Sequence, residues 1–220
     1  MSTTAFITTA SKLREDILHG RLRAGDRLKL ADLARRYRTG YMPVREALRE
    51  LQGQRLVEMS PNCGARVRGV DVQRVRNMFD VRIALEAMLA RRAAERIRPS
   101  DIDRLHTVQK KLELSVQRHE YRAALVANHD FHRLVGEVAA NDEALDILDM
   151  QWRLIPALWR SVGYARARFA AVISDHRQII EALARRDQEA SADITMSHAA
   201  RARNDLLACL EDRAFSSSAK

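Results

Sequence analysis

Apolar positions along residues 6–18 fall at Ile7, Ala10, Leu13 and Ile17, the three-and-four spacing of a single helical face. His19-Gly20 ends that helix, and Gly25-Asp26 marks a turn before a short extended run. The same spacing predicts a second helix over 30–37 and a third over 43–53, where Pro43 is tolerated in the first turn and Gly53 stands at the end. Leu56-Val57 and Ala65-Arg66-Val67 then flank the turn residues Ser60-Pro61-Asn62-Cys63-Gly64, which reads as a two-stranded hairpin. Three helices followed by a hairpin is the element order of a winged helix-turn-helix.

From Asp71 onward strand alternation is lost and helical spacing takes over, predicting helices near 71–97, 100–118, 121–140, 143–162, 166–186 and 188–211. Pro156 falls inside the fourth of these and is expected to kink it. The expected fold is mainly α: an N-terminal winged helix-turn-helix over 1–70, an all-helical antiparallel bundle over 71–213, and a disordered tail over 214–220. The boundary is placed at Gly69-Val70-Asp71, with Asp71 capping the long helix that follows.

Composition sharpens this picture mainly through charge. The 220 residues carry a net charge of +9, with 46% hydrophobic and 30% charged residues, an ordinary globular balance. Residues 1–70 hold 14 Lys and Arg against 7 Asp and Glu, whereas the remainder holds 24 against 22. A basic module joined to a near-neutral helical body points to a phosphate-rich partner for the first module. Two cysteines, Cys63 and Cys209, without a CxxC spacing, imply neither a disulfide framework nor a cysteine-rich zinc site. With no apolar stretch near 18 residues and no signal-peptide pattern at the start, the expectation is a cytoplasmic protein with no membrane partner.

The second and third helices can pack through Leu33, Ala34, Val44, Ala47, Leu48 and Leu51. That leaves Arg45, Arg49 and Gln52 together on the opposite side of the third helix. An α-helix fits the major groove of DNA, and Arg can grip a guanine edge or neutralise a phosphate. Arg35 and Arg36 are expected to face phosphates, and Arg66 and Arg68 to extend from the hairpin.

Four pieces in order carry a family resemblance: Gly25-Asp26-Arg27-Leu28, Leu33-Ala34, Pro43-Val44-Arg45-Glu46-Ala47-Leu48, and Asn62-Cys63-Gly64-Ala65. Over about 60 residues they resemble the winged-helix domain of GntR-family regulators. The family usually places Ser-Arg-Thr before the Pro-Val-Arg block; here the positions are Gly40, Tyr41 and Met42. Tyr41 can hydrogen-bond a phosphate but lacks the guanidinium fork, which implies a different operator preference. The helix faces and the resemblance together give a DNA-contacting set of Arg35, Tyr41, Met42, Pro43, Arg45, Arg49, Gly64 and Arg66, with Arg45 matching one of the family's DNA-contacting arginines.

The second part resembles the FadR-type sensor domain called FCD, over most of 71–211. The carriers are Asn128-His129-Asp130-Phe131-His132, Asn141, Asp175-His176-Arg177 with Ile179-Ile180-Glu181-Ala182-Leu183, and His198. Asn128 and His132 are one helical turn apart on one face, and His176 shares an apolar stripe with Val172, Ile179, Ile180 and Leu183. Asn128, His132, His176 and His198 meeting inside a bundle could bind a divalent metal such as zinc, nickel or manganese. Many relatives have Asp where this chain has Asn128, a weaker oxygen donor. An alternative is a metal-free pocket in which the histidines bind the effector directly. Arg82 would clamp a carboxylate, since family members commonly sense small organic acids; its other reading is a salt bridge to Glu86 at i+4. Trp152 and Trp159 read as core or interface packing.

The resemblance implies a homodimeric regulator, a repressor in the leading reading, that binds a pseudo-palindromic double-stranded operator and responds to a small carboxylate. The alternative is a metal-dependent enzyme with an appended nucleic-acid module, against which stand the lack of HExxH and of a general base beside the proposed ligands. A third class is a DNA-bridging protein with an inert helical domain.

Overall fold

The computed structural model describes residues 2–18, 20–60, 64–68, 72–152, 154–155, 158–159 and 166–218. The chain divides into two compact units, Met1–Asp71 and Val72–Lys220.

In the first unit, α1 (Ser2–Leu18) is followed by β1 (Arg27–Leu28), α2 (Leu30–Tyr37), α3 (Tyr41–Gly53), β2 (Val57–Ser60) and β3 (Gly64–Val67). Leu33 of α2 and Val44, Ala47, Leu48 and Leu51 of α3 are buried, Ala34 is half-buried, and α3 packs against both α2 and α1, whose Ala10, Leu13 and Ile17 are buried. Arg38 stops α2 by taking the left-handed conformation (φ 52°), and the Thr39 N–H then donates to the Ala34 carbonyl at 3.0 Å. The turn is therefore three residues long and sets α3 against α2 as a helix-turn-helix. The third helix starts at Tyr41 rather than at the expected 43, after an extended Gly40.

The extended run after Gly25-Asp26 is a third strand. The sheet order is β1-β3-β2, antiparallel throughout, with Leu28 opposite Ala65 and Val57 opposite Val67. Ala65 and Val67 are buried while Arg66 between them is exposed, the period-two signature of a strand with one dry face. Gly64 opens β3 with φ +79°, a conformation that L side chains rarely adopt. The expected turn residues Pro61, Asn62 and Cys63 lie outside the described residues, as do Gly69, Val70 and the Asp71 cap.

The second unit contains α4 (Val72–Arg96), α5 (Pro99–Gln117), α6 (Tyr121–Ala139), α7 (Asp142–Trp152), α8 (Arg166–Ala184) and α9 (Gln188–Ser218). Helix α4 packs against α6 and α9, α5 against α6 and α8, and α8 against α9, so α4, α6, α8 and α9 surround a common interior. Gly136 allows α6 and α7 to approach closely: a Cβ there would overlap the Leu145 side chain. Helix α7 ends at Trp152, short of the expected 162; the predicted kink at Pro156 lies outside the described residues. Helix α9 runs to Ser218, past the expected end at 211 and into the stretch read as a disordered tail. No Gly or Pro follows residue 188 to stop it. No described helix is long and apolar enough to cross a membrane.

Candidate functional site

On the first unit, the packing of α3 decides which side chains remain outside. Because Val44, Ala47, Leu48 and Leu51 face the core, Arg45, Arg49 and Gln52 are left exposed. Tyr41 and Met42 at the helix start are 60% and 59% exposed, large apolar bodies that nothing within the described unit covers. Arg45 also lines a pocket of about 230 Å³ with Arg27, Lys29, Met59 and Gly64, so three cations converge between α3 and the strands. Arg27 and Lys29 carry no signal of this in the sequence, because only the pairing of β1 with β3 brings them beside the wing.

The other arginines are partly committed. Arg66 donates to the Gly25 carbonyl at 3.0 Å and stays exposed, Arg68 pairs with Glu58 at 3.1 Å, and Arg35 lies 3.6 Å from Asp32 with both groups open to solvent. Arg36, expected to face phosphates, is exposed but already engaged by a carboxylate. It pairs with buried Asp16 at 2.6 Å, and Asp16 also accepts from Tyr37 Oη at 2.9 Å and from Arg21. Burial alone would raise the Asp16 pKa, but the hydrogen bonds from Arg21 and Tyr37 and the charge of Arg36 reverse this and hold it below its ordinary value.

In the second unit, helices α6, α8 and α9 bring His132, His176 and His198 together. One ring nitrogen from each lies within 4.8 Å of the others, and all three residues are buried. For His176 and His198, hydrogen bonds at Nδ1 fix which nitrogen faces inward. Gln109 gives its amide N–H groups to Glu113 at 2.9 Å and to the Ile173 carbonyl at 3.4 Å, so its Oε1 accepts from His176 Nδ1 at 3.0 Å. His198 Nδ1 donates to Asp175 Oδ2 at 3.0 Å, and Arg201 holds the other carboxylate oxygen at 2.6 Å. His132 Nδ1 stands 3.5 Å from Glu86 Oε2, too poorly aligned for a hydrogen bond, since that oxygen has no partner.

The Nε2 atoms of His132 and His176 and the Oδ1 of Asn128 are buried with no hydrogen-bond partner among the described residues. A buried core histidine with its polar atoms satisfied would not look like this, because each orphaned group costs about 1–3 kcal/mol. Burial first, then the charges of neighbouring groups, pushes the His132 and His176 pKa values well down. The His132 and His176 imidazoles are therefore neutral at pH 7, with lone pairs available. A hydrogen bond that fixes Nδ1 and leaves Nε2 bare is how proteins present histidine to a metal. Asn128 sits one turn before His132 on the same buried face, so the donor set fits a divalent ion.

Arg82 is buried between aromatic rings, its guanidinium carbon 4.1 Å from the Trp152 ring centre and 4.7 Å from that of Phe79. Its Nε and Nη2 both donate to Glu86 Oε1, at 3.0 and 2.8 Å, so the i+4 salt bridge is formed. A second stacked arginine, Arg168, has no counterpart among the sequence expectations: it lies 4.1 Å from the Trp159 ring centre and pairs with Asp205 at 3.2 Å. Burial, together with the charge of Arg82, brings its pKa down to about 10. Trp152 and Trp159 are thus core residues that also serve as platforms for guanidinium groups.

Comparison with known proteins follows these two units. Residues 8–67 match the bacterial regulatory proteins of the gntR family, and residues 77–201 match the FCD domain. The chain is 27% identical over 187 residues to the HTH-type transcriptional repressor RspR of Escherichia coli, covering 81% of this chain and 78% of that protein. It is 27% identical over 207 residues to a probable D-xylose utilization operon transcriptional repressor of Paenarthrobacter nicotinovorans, covering 88% and 86%. Among solved structures, E. coli McbR/YncC superposes with a TM-score of 0.74 at 20% identity, covering 92% of this chain and 96% of that one. A GntR regulator from Rhodococcus sp. RHA1 superposes at 0.75 and 20% identity, covering 94% and 99%. These structures share the fold. The chain is a member of the GntR family of bacterial transcription regulators, with a winged helix-turn-helix followed by an FCD effector-binding domain.

Proposed function

We propose that this regulator is a homodimeric repressor whose affinity for a pseudo-palindromic operator is controlled by a small carboxylate bound beside a divalent metal in the helical unit. The observation that carries the reading is the set of orphaned Nε2 atoms on His132 and His176, converging with His198 inside the bundle. His132, His176, His198 and Asn128 would hold the ion, and three imidazoles favour zinc or nickel. The bound ion would supply a positive centre able to attract a carboxylate oxygen. Arg82 and Arg168, stacked on Trp152 and Trp159, add fixed positive charge for the same ligand.

On the first unit, Tyr41, Met42, Pro43, Arg45 and Arg49 of α3 are assigned to the major groove. Arg35, Gly64 and Arg66 are assigned to phosphates and the wing contact. A ligand that binds two states of the protein unequally shifts operator affinity by that difference in binding free energy.

The reading is tested by elemental analysis of the purified protein, followed by titration of its own upstream DNA with metal and a panel of organic acids. The expected result is about one zinc or nickel per chain, and an acid that changes operator affinity by about 5–150-fold. Operator affinity indifferent to every metal and acid would contradict it.

A further inference from the structure

The first turn of α3 differs in chemistry from the rest of its exposed face. At 3.6 residues per turn, Tyr41, Met42, Arg45, Arg49 and Gln52 fall within a sector of about 100°. All five are exposed, while Val44, Ala47, Leu48 and Leu51 face the core. Arg45, Arg49 and Gln52 are rich in N–H donors. Tyr41 and Met42 are apolar bodies, 60% and 59% exposed, more than any other large apolar side chain among the described residues. Their neighbours argue against an apolar protein surface as the cover for this pair. Arg45 shares its cleft beside the wing with Arg27 and Lys29, and cations are costly to bury without counter-charges. A polyanion that also presents apolar groups suits the whole face.

The N-terminal residues of a recognition helix are the ones that reach base edges. In the major groove guanine offers two acceptors, cytosine an amino donor, and adenine one of each; thymine alone adds an apolar group, its C5-methyl. Met42 has no donor and only a weakly accepting thioether, and the single hydroxyl of Tyr41 stands at the far end of its ring. Such a pair has little to offer guanine, but it gains by taking a methyl group out of water. We propose that Tyr41 and Met42 read thymine through its C5-methyl group, placing a T·A pair in the half-site where an arginine would select guanine. This rests on the assignment of α3 to the major groove and names the base preferred there.

The test enriches duplexes that bind the full chain from a random-sequence pool and then measures their affinity by fluorescence anisotropy. Each thymine of the enriched half-site is replaced in turn by deoxyuridine, which removes the methyl and keeps every hydrogen-bonding group. At one or two neighbouring positions affinity should fall about 4-fold per methyl. The salt dependence should stay the same, because no phosphate contact is altered. Tyr41→Ala/Met42→Ala should bind more weakly and treat thymine and deoxyuridine alike at those positions. Both side chains are exposed, so the change leaves the core intact. Tyr41→Arg, put through a fresh enrichment, should exchange thymine for guanine at one of them. Methyl dependence that persists in the double alanine variant would overturn the proposal, as would an unaltered thymine preference in Tyr41→Arg. Enriched sites indifferent to deoxyuridine at every position remove the thymine reading alone. A natural chain that enriches no sequence removes the assignment of α3 to the groove, and the thymine reading with it.

Discussion

At the scale of single residues, the centre depends on groups that never touch its ligand. Asp175 accepts from His198 Nδ1, and this bond both orients the ring and makes Nε2 a better donor. Burial would raise the Asp175 pKa, yet the bonds from His198 and Arg201 hold it below the ordinary value, so it is a carboxylate at neutral pH. Replacing Asp175 with Asn keeps the shape and removes the charge. Zn²⁺ affinity should fall by about 10–100-fold in a competition titration, with helix content unchanged by circular dichroism. An unchanged affinity would mean that His198 is held by packing alone. The histidines themselves were legible in the sequence, since spacing put Asn128 with His132 and placed His176 on an apolar stripe. Their partners were not. Gln109 lies 67 residues from His176, and Asp175 lies 23 from His198, so only tertiary packing discloses the pairs. Arg168 escaped for a related reason: nothing in its neighbourhood along the chain signals that Trp159 will lie beneath its guanidinium.

Among the elements, α1 and α2 are tied together by a polar knot rather than by apolar packing alone. Asp16 of α1 takes Arg36 and Tyr37 of α2 and Arg21 of the intervening turn. A carboxylate depressed in the folded state stabilises fully above its unfolded pKa, ordinarily 3.8, and loses that contribution as pH falls through the lower folded value. Asp16→Asn should therefore destabilise the first unit by about 1–3 kcal/mol at pH 7, with the difference from the natural chain shrinking below about pH 4. Denaturant titrations followed at both pH values check this, and an equal loss at both would show that the charge plays no part. The elements were well predicted where periodicity was long, as in α4, α5, α6 and α8. Boundaries failed where a local rule was weak. Gly40 caps α3 without a side-chain oxygen, so the helix begins at Tyr41, and α9 continues because nothing in its sequence stops it. The pairing of Arg36 was illegible for a physical reason: its partner Asp16 lies on another helix, and along the chain an arginine of the basic module looks like any other surface group.

For the molecule as a whole, charge and burial divide the labour. The basic first unit keeps an arginine-bearing helix face exposed, while the near-neutral second unit buries three histidines and Arg82 and half-buries Arg168. This division is what a DNA reader joined to a ligand sensor requires: long-range attraction to phosphate on one part, and a site shielded from water on the other. The central claim is that the α3 face carrying Arg45 and Arg49 reads the operator. Its most direct test is fluorescence anisotropy of a labelled upstream duplex, titrated over a range of salt with the natural chain and with Arg45→Ala/Arg49→Ala. Removing an arginine that grips a base edge should cost about 1–3 kcal/mol. Removing one that neutralises a phosphate should reduce the slope of log affinity against log salt by about 0.9. The double variant should therefore bind at least about 30-fold more weakly and discriminate less between the upstream duplex and a scrambled one. Unchanged affinity, salt slope and discrimination would contradict the account.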